Sequence, residues 1–364
     1  MDVDGPVVVG SSAGRTRPAV VTRTTGDGRA FIRTKGETCP DSIEEVSCAP
    51  RRRGAALAGA ALAPAAGDLL SPSPTRAATA RPGGKRTAAT FRWLGTSGWR
   101  VDVGSSTFLV DPYVTRFDAG LAAGAFKPAT RLTVDTEAVG RHAGTPKVVL
   151  VTHSHWDHFN DVPHIATSTG ARVVGTATTC NLALAFDVKS GLLSPVKGGE
   201  VLDFGDYVVE VVASLHSRNA DYSMAFPGVR LTRPERKPET ISDLPEGDTL
   251  AFQVTVKGGP SVFFMGGSDF VERNLTDLAP DVAMIPTTSS SSTYDYVPRL
   301  LRALDMPRVV VPVHWDNFEV ALRNPPQTDE KSRKSLAEFV AAVRKVSPRT
   351  KVVIPDYLTP HTFA

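Results

Sequence analysis

The stretch VTHSHWDHFND, Val151 to Asp161, sets three histidines and one aspartate within positions 153–158 of a chain that has eight histidines in 364 residues. The run KVVLVTH that leads into it is continuously apolar, as in a strand buried on both faces. On an extended exit from such a strand His153 and His155 point to the same side, because side chains alternate with a period of two. Asp157 and His158 fall on the turn entering the next helix and point to a second position. A polar helix start facing water and a metal site are both consistent with these residues taken alone.

Working outward, the chain from Thr90 onward reads as short strands punctuated by glycine turns. TFRWLG, GWRVDV and STFLVDP come first, then ARVVGT, EVLDFG and YVVEVVAS. TLAFQVTV and SVFFMGG read as a hairpin around the Lys257–Pro260 turn, and DVAMIP, RVVVPVH and KVVIP as further buried strands. Helices are expected over Thr178–Phe186, Asp295–Leu304 and Asp329–Val346, the last with Leu336, Phe339, Val340 and Val343 on one apolar face. The segment Arg230–Asp248 is polar, charged and proline-rich, and reads as a solvated surface loop.

Polar residues that packing does not require stand just beyond several of these strands. They are Asp111 after STFLV, the 153–158 cluster after KVVLVT, His216 after EVVASL, Asp269 after FFMGGS and His314 after VVVPV. Loops at strand ends can be aimed by a rigid sheet at one point. Imidazole nitrogens and carboxylate oxygens are the ligands favoured by Zn²⁺ and similar cations, three or four to an ion. His153, His155 and His216 can grip one ion, and Asp157, His158 and His314 a second, with Asp269 suited to bridge them through its two oxygens. Two cations about 3.5–4 Å apart can hold a shared hydroxide, lowering the pKa of water toward neutrality. Such a hydroxide attacks an electrophilic carbonyl or phosphorus; Asp157 is expected to orient it and Asp269 to shuttle its proton. Trp156, Trp315 and Phe318 flank the ligands as candidates for an apolar substrate wall. Arg218 and Asn219, with Tyr222 nearby, are candidates to hold an anionic group or oxyanion.

The element HSHWDH, with the later His216, Asp269 and His314, resembles the metallo-β-lactamase superfamily, and the resemblance covers roughly residues 90–356. It implies an α/β fold, a four-layer αββα sandwich with a dinuclear site at one edge of the two sheets. It implies the same division of ligands between the two ions, Asp269 as the bridge and Asp111 in the layer around the ligands. Asp157–His158 and Asp269 differ from the main subclass of true β-lactamases, which place a cysteine at the bridging position. VPVHWDNF and FRWLGTSGWRVD are similar to the branch containing ascorbate-6-phosphate lactonase and N-acyl-phosphatidylethanolamine phospholipase D. The expected enzyme is therefore a hydrolase of an ester, lactone or phosphodiester-type bond with two divalent ions, Zn²⁺ foremost and Mn²⁺ or Fe as alternatives. Its rivals are an iron-dependent, non-hydrolytic oxidoreductase of the same fold and a non-catalytic binding protein that retains the fold.

Composition bounds the partners. A formal charge of +3, with 22% charged residues, gives no field for a nucleic-acid backbone, and a small-molecule substrate is expected. No apolar run reaches the ~20 residues of a membrane-spanning helix, and the oligomeric state is left open. Of the cysteines Cys39, Cys48 and Cys180, the last has no partner within the expected mature chain and reads as a small buried residue. Residues 1–49 read as disordered or as a mis-assigned start, with translation beginning near Val46. Residues 50–80, with Arg51–Arg53, an Ala/Gly/Leu run and Ala78-Thr79-Ala80, have the order of a twin-arginine-like export signal. The expected location is extracellular or in the cell envelope, and cytoplasmic if the signal reading fails. Residues 81–364 are then a single hydrolase domain.

Overall fold

A computed structural model describes residues 87–363, together with an antiparallel strand pair nearer the N-terminus, β1 (Val20–Thr24) and β2 (Ala30–Arg33). The expected export signal at 50–80, and the rest of the 1–49 region, lie outside the described residues.

Two mixed seven-stranded sheets make up the body. The first contains β3 (Ala89–Gly95), β4 (Gly98–Val103), β5 (Ser106–Val110), β6 (Val148–Leu150), β7 (Arg172–Gly175), β8 (Leu193–Pro195) and β16 (Pro360–His361), in the order β16-β3-β4-β5-β6-β7-β8. The second contains β9 (Val201–Asp203), β10 (Tyr207–Ser214), β11 (Thr249–Val256), β12 (Ser261–Met265), β13 (Val282–Pro286), β14 (Val309–Val313) and β15 (Lys351–Val352). Its order is β15-β14-β13-β12-β11-β10-β9. Each sheet is antiparallel over one half and parallel over the other.

The apolar residues sort into three clusters, and these define the layers. Alternate residues of both sheets, among them Trp99, Val101 and Phe108 from the first and Phe252, Val254 and Phe264 from the second, pack between the sheets. The other face of the first sheet, through Leu109, Val149 and Val173, packs on four helices: α1 (Thr136–Ala143), α2 (Trp156–Phe159), α3 (Val162–Thr169) and α4 (Ala177–Ala185). The other face of the second sheet, through Phe263, Ala283 and Val310, packs on α5 (Tyr296–Ala303) and α6 (Glu330–Val346). The expected αββα sandwich is thus present, and burial on both faces explains why its central strands are apolar without alternation. Cys180 is buried, as expected.

Helix starts follow their capping residues. Asp329 accepts from the Ser332 N–H at 2.6 Å to open α6, and the Thr176 hydroxyl caps α4. Two expectations are corrected. KVVIP is not a buried strand: only Lys351 and Val352 pair, on the edge beside β14, with Lys351 exposed. The 230–248 segment is not wholly solvated either. Its Ile241 and Leu244 are fully buried in the helix layer, because they are the apolar residues that the polar run brackets.

Candidate metal centre

The opening stretch folds as its spacing requires. Val151 closes the ladder by donating to the Val174 carbonyl, and a short irregular segment, bent at Thr152 and His155, leads to His155 at the N-terminus of the single turn of α2. His153 and His155 therefore leave the loop after β6, whereas Asp157 and His158 leave a helical turn. His216 follows β10 and His314 follows β14, so the second sheet delivers the remaining imidazoles.

The ligand atoms of His153, His155 and His216 lie within 4.8 Å of one another, as do those of Asp157, His158 and His314. The two triads adjoin, with the His153 and His158 rings 3.9 Å apart between centroids. Hydrogen bonds then fix which nitrogen each ring offers. His155 donates from Nε2 to the Ala225 carbonyl (2.8 Å) and His216 from Nδ1 to the Ser217 carbonyl (2.7 Å), so Nδ1 and Nε2 respectively remain. Thr152 gives its hydroxyl hydrogen to Asp111 Oδ2 at 2.6 Å, so it can only accept from His153 Nδ1 at 3.2 Å, leaving His153 Nε2. His158 donates from Nδ1 to Asp111 Oδ2 at 2.9 Å. Thr288 gives its hydroxyl hydrogen to the His314 carbonyl and accepts from His314 Nδ1 at 3.3 Å. The remaining nitrogens, Nε2 of His158 and of His314, face Asp157 Oδ2 at 3.4 and 3.1 Å. All five rings thus have one nitrogen engaged outward, as metal-binding histidines do; the inward nitrogens of His153, His155 and His216 make no hydrogen bond among the described residues, whereas those of His158 and His314 meet Asp157. Three N/O donors to each position fit a divalent ion of the zinc type.

The charges are arranged to match. Burial, and then the neighbouring imidazoles, hold His153 well below its ordinary range. Burial also takes His155 to about 3 and His216 to about 4, so this triad is neutral and ready to ligate. In the second triad burial acts against His158, but Asp157 and Asp111 outweigh it and raise it to about 10. Burial likewise opposes the charge on Asp157, yet His158 and His314 hold it well below the usual carboxylate range.

Several residues brace this geometry. Asp111, fully buried and at φ 42°, also accepts from Thr152 N at 2.7 Å, tying the ends of β5 and β6 together. Asp161 accepts from Val114 N (2.7 Å) and Thr115 N (2.8 Å), anchoring the loop after β5 to the site. A Cβ on Gly266 would stand 1.9 Å from Thr152 Oγ1, so the glycine lets the end of β12 pass against the site.

Asp269, expected as the bridge, stands beside His216, its backbone paired with Leu215. It does not join either triad at the spacing of the others, and its Oδ1 accepts from Phe270 N at 2.8 Å. Its other oxygen makes no hydrogen bond among the described residues. Trp156 and Phe318 do flank the ligands. With Phe126 and Phe226, which no pattern in the sequence marks, they form an aromatic wall whose half-buried face is made by the three phenylalanines, Trp156 itself being buried behind them in the helix layer. Phe226 lies 6.3 Å from the His155 ring and Phe318 lies 5.2 Å from the His314 ring. Trp315 is a correction: it stacks on Trp93 at 5.3 Å in the inter-sheet core, donates to the Pro312 carbonyl, and offers no surface to a substrate. Asn219 is also turned away, its amide closing its own loop onto Asp221 and Ser223. Tyr222 is 70% exposed on that loop. Arg218 makes no ion pair among the described residues and lines a cavity of 620 Å³ that reaches His216, Met224 and Leu250.

Two adjoining nitrogen-and-carboxylate triads at one edge of an αββα sandwich define a metalloprotein class. Residues 90–314 match the family described as the β-lactamase superfamily domain, and the chain belongs to that superfamily. A UPF0173 metal-dependent hydrolase of Methylobacterium nodulans is 28% identical over 63% of this chain and 85% of its own length. One from Pyrobaculum arsenaticum is 27% identical over 72% and 95%. Among solved structures, the diiron β-hydroxylase CmlA of Streptomyces venezuelae superposes with a TM-score of 0.50 at 13% identity. That superposition covers 77% of this chain and 54% of CmlA, a likeness of fold alone.

Proposed function

We propose that the protein is a dinuclear metal-dependent hydrolase of an ester, lactone or phosphodiester-type bond in a small molecule. The observation that carries this is the set of five imidazoles, each held outward through one nitrogen, with the other turned toward one of two adjoining triads. The relatives named as metal-dependent hydrolases support the same reading. Zn²⁺ is the ion proposed for both positions, with Mn²⁺ or Fe as alternatives. When bound, two such ions acidify water and polarise the substrate oxygen.

The chain's own groups do the rest. His153, His155 and His216 hold one position without surrendering protons, because all three are neutral at neutral pH. Asp157, His158 and His314 would hold the second position, and on ligation His158 would release its Nε2 proton to solvent while Asp157 stays ionised. Asp157 orients the attacking water. Asp269, one of whose oxygens makes no hydrogen bond among the described residues, would supply a further ligand oxygen beside His216 and would carry the proton to the leaving group. The aromatic wall beside His155 and His314 seats an apolar part of the substrate, and Arg218 offers a cation to an anionic part. The export order of residues 50–80 supports delivery of the folded enzyme outside the cytoplasm; N-terminal sequencing of native protein checks it, and a mature start before Arg51 rejects it.

Purified protein loaded with zinc is to be assayed against lactone, ester, phosphodiester and thioester panels, with and without chelator. Hydrolysis that chelator abolishes, zinc restores and Asp157→Asn removes is the expected result. Native protein carrying stoichiometric iron with redox turnover and no hydrolysis refutes the reading.

A further inference from the structure

Beneath the second triad lies a buried charge cluster that metal ligation does not use. Asp316, two residues past His314, has a fully buried side chain, and Arg116, 4% exposed, approaches its Oδ2 at 3.5 Å through Nη1. Asp316 Oδ2 also accepts from the Tyr357 hydroxyl at 2.8 Å, and Oδ1 accepts from Thr96 N at 2.9 Å. The Thr96 carbonyl in turn accepts from His314 N at 2.9 Å and from the Trp93 indole at 3.0 Å. Arg116 donates through Nη2 to the Leu94 carbonyl at 2.7 Å, so it also fixes the strand end that precedes Thr96. Gly95 makes room for it, since a Cβ there would stand 2.0 Å from Arg116 Nη2.

The connection matters because of the backbone it restrains. Thr96 has φ 51° and His314 has φ 57°, left-handed values that residues with a Cβ avoid. Such conformations persist only where the surroundings over-determine them, and they gather at functional sites. The two strained residues are joined to each other, and Asp316 holds the pair from one side.

We infer that Asp316 is a positioning residue for His314, acting through the Thr96 peptide, with Arg116 balancing its charge and Tyr357 fixing its orientation. The inference rests on the dinuclear reading proposed above. Its consequence is selective: the Asp157–His158–His314 position depends on the brace, and the His153–His155–His216 position does not, because its anchors are Thr152, Ala225 and Ser217. Asp316→Asn removes the charge while keeping the shape.

The test is zinc titration of metal-free protein against a chromophoric chelator, resolving two equivalents. Wild type is measured first, and uptake of two ions is the check on the dinuclear reading. Asp316→Asn is expected to bind one ion with wild-type affinity and the other about 10- to 100-fold more weakly, the range for residues that orient a ligand. Tyr357→Phe keeps the carboxylate and the fold of the core, and is expected to show a smaller loss confined to the same equivalent. Equal weakening of both ions, or unchanged affinity for both alongside a lowered Tm, overturns the inference. Should Asp316→Asn fail to fold, Tyr357→Phe decides: wild-type affinity for both ions in that variant overturns it. A wild type that takes up only one ion refutes the dinuclear reading instead, and the brace with it.

Discussion

Acidification of the metal-free protein measures the first triad directly. His155 lies at about 3 and His216 at about 4, both through burial, against about 6.5 for histidine in an unfolded chain. Folded pKa values below the unfolded ones mean that the unfolded state takes up protons first. Stability is therefore unaffected above about pH 6.5 and falls as the pH drops from there toward the folded values. At about pH 5, one and a half pH units below 6.5, His155 alone accounts for about 2 kcal/mol at 1.36 kcal/mol per unit. His216, which is partly open, adds at most as much again, and His153 acts in the same direction. His158, raised to about 10, stays protonated in the folded state while the unfolded histidine gains its proton only near pH 6.5, so it opposes the fall by about 1 kcal/mol between about pH 7.5 and 5; Asp157 is ionised in both states and does not contribute. The sum is a large part of the ~5–15 kcal/mol that a domain possesses. Urea denaturation of chelator-treated protein at a series of pH values between about 7.5 and 5 reads the effect. The expected result is a net drop of about 2–4 kcal/mol, with a shallower slope in His155→Gln. Equal stability at both ends of the range, or a slope untouched by His155→Gln, refutes the neutral, buried triad.

Replacing Asp111 by Asn removes one of the two anions that raise His158, so His158 in the metal-free protein moves down from about 10 toward its ordinary value, as an NMR titration of its ring protons would follow. The same variant leaves a network of three hydrogen bonds disturbed and weakens the second ion by about 10- to 100-fold in a zinc titration. Gly266→Ala drives a methyl into Thr152, so thermal denaturation is expected to show a loss of about 1–3 kcal/mol accompanied by reduced metal content. Phe226→Ala opens the aromatic wall and is expected to raise KM for substrates with a large apolar group by about tenfold, with little change for small ones, in steady-state assays.

The strands and the ligand positions were written in the sequence because each depends on local pattern. GWRVDV, YVVEVVAS and TLAFQVTV are strands over the full extent of their apolar runs. The 153–158 spacing translates into two directions because the loop leaving a strand and the helical turn after it aim side chains differently. Period and spacing cannot say which nitrogen of an imidazole is free. That depended on Thr152, Ala225, Ser217 and Thr288, some of them far away along the chain, whose hydrogen bonds exist only after both sheets have closed. Nor could they separate Trp315 from Trp156. Both indoles sit next to a ligand, yet one turns into the inter-sheet core against Trp93 and the other lies among phenylalanines from three loops. Asp316, read along the chain, is one more polar residue in HWDN. Its meaning came from Thr96 and Arg116, more than 190 positions away, because a buried charge is defined by the partners that the fold supplies.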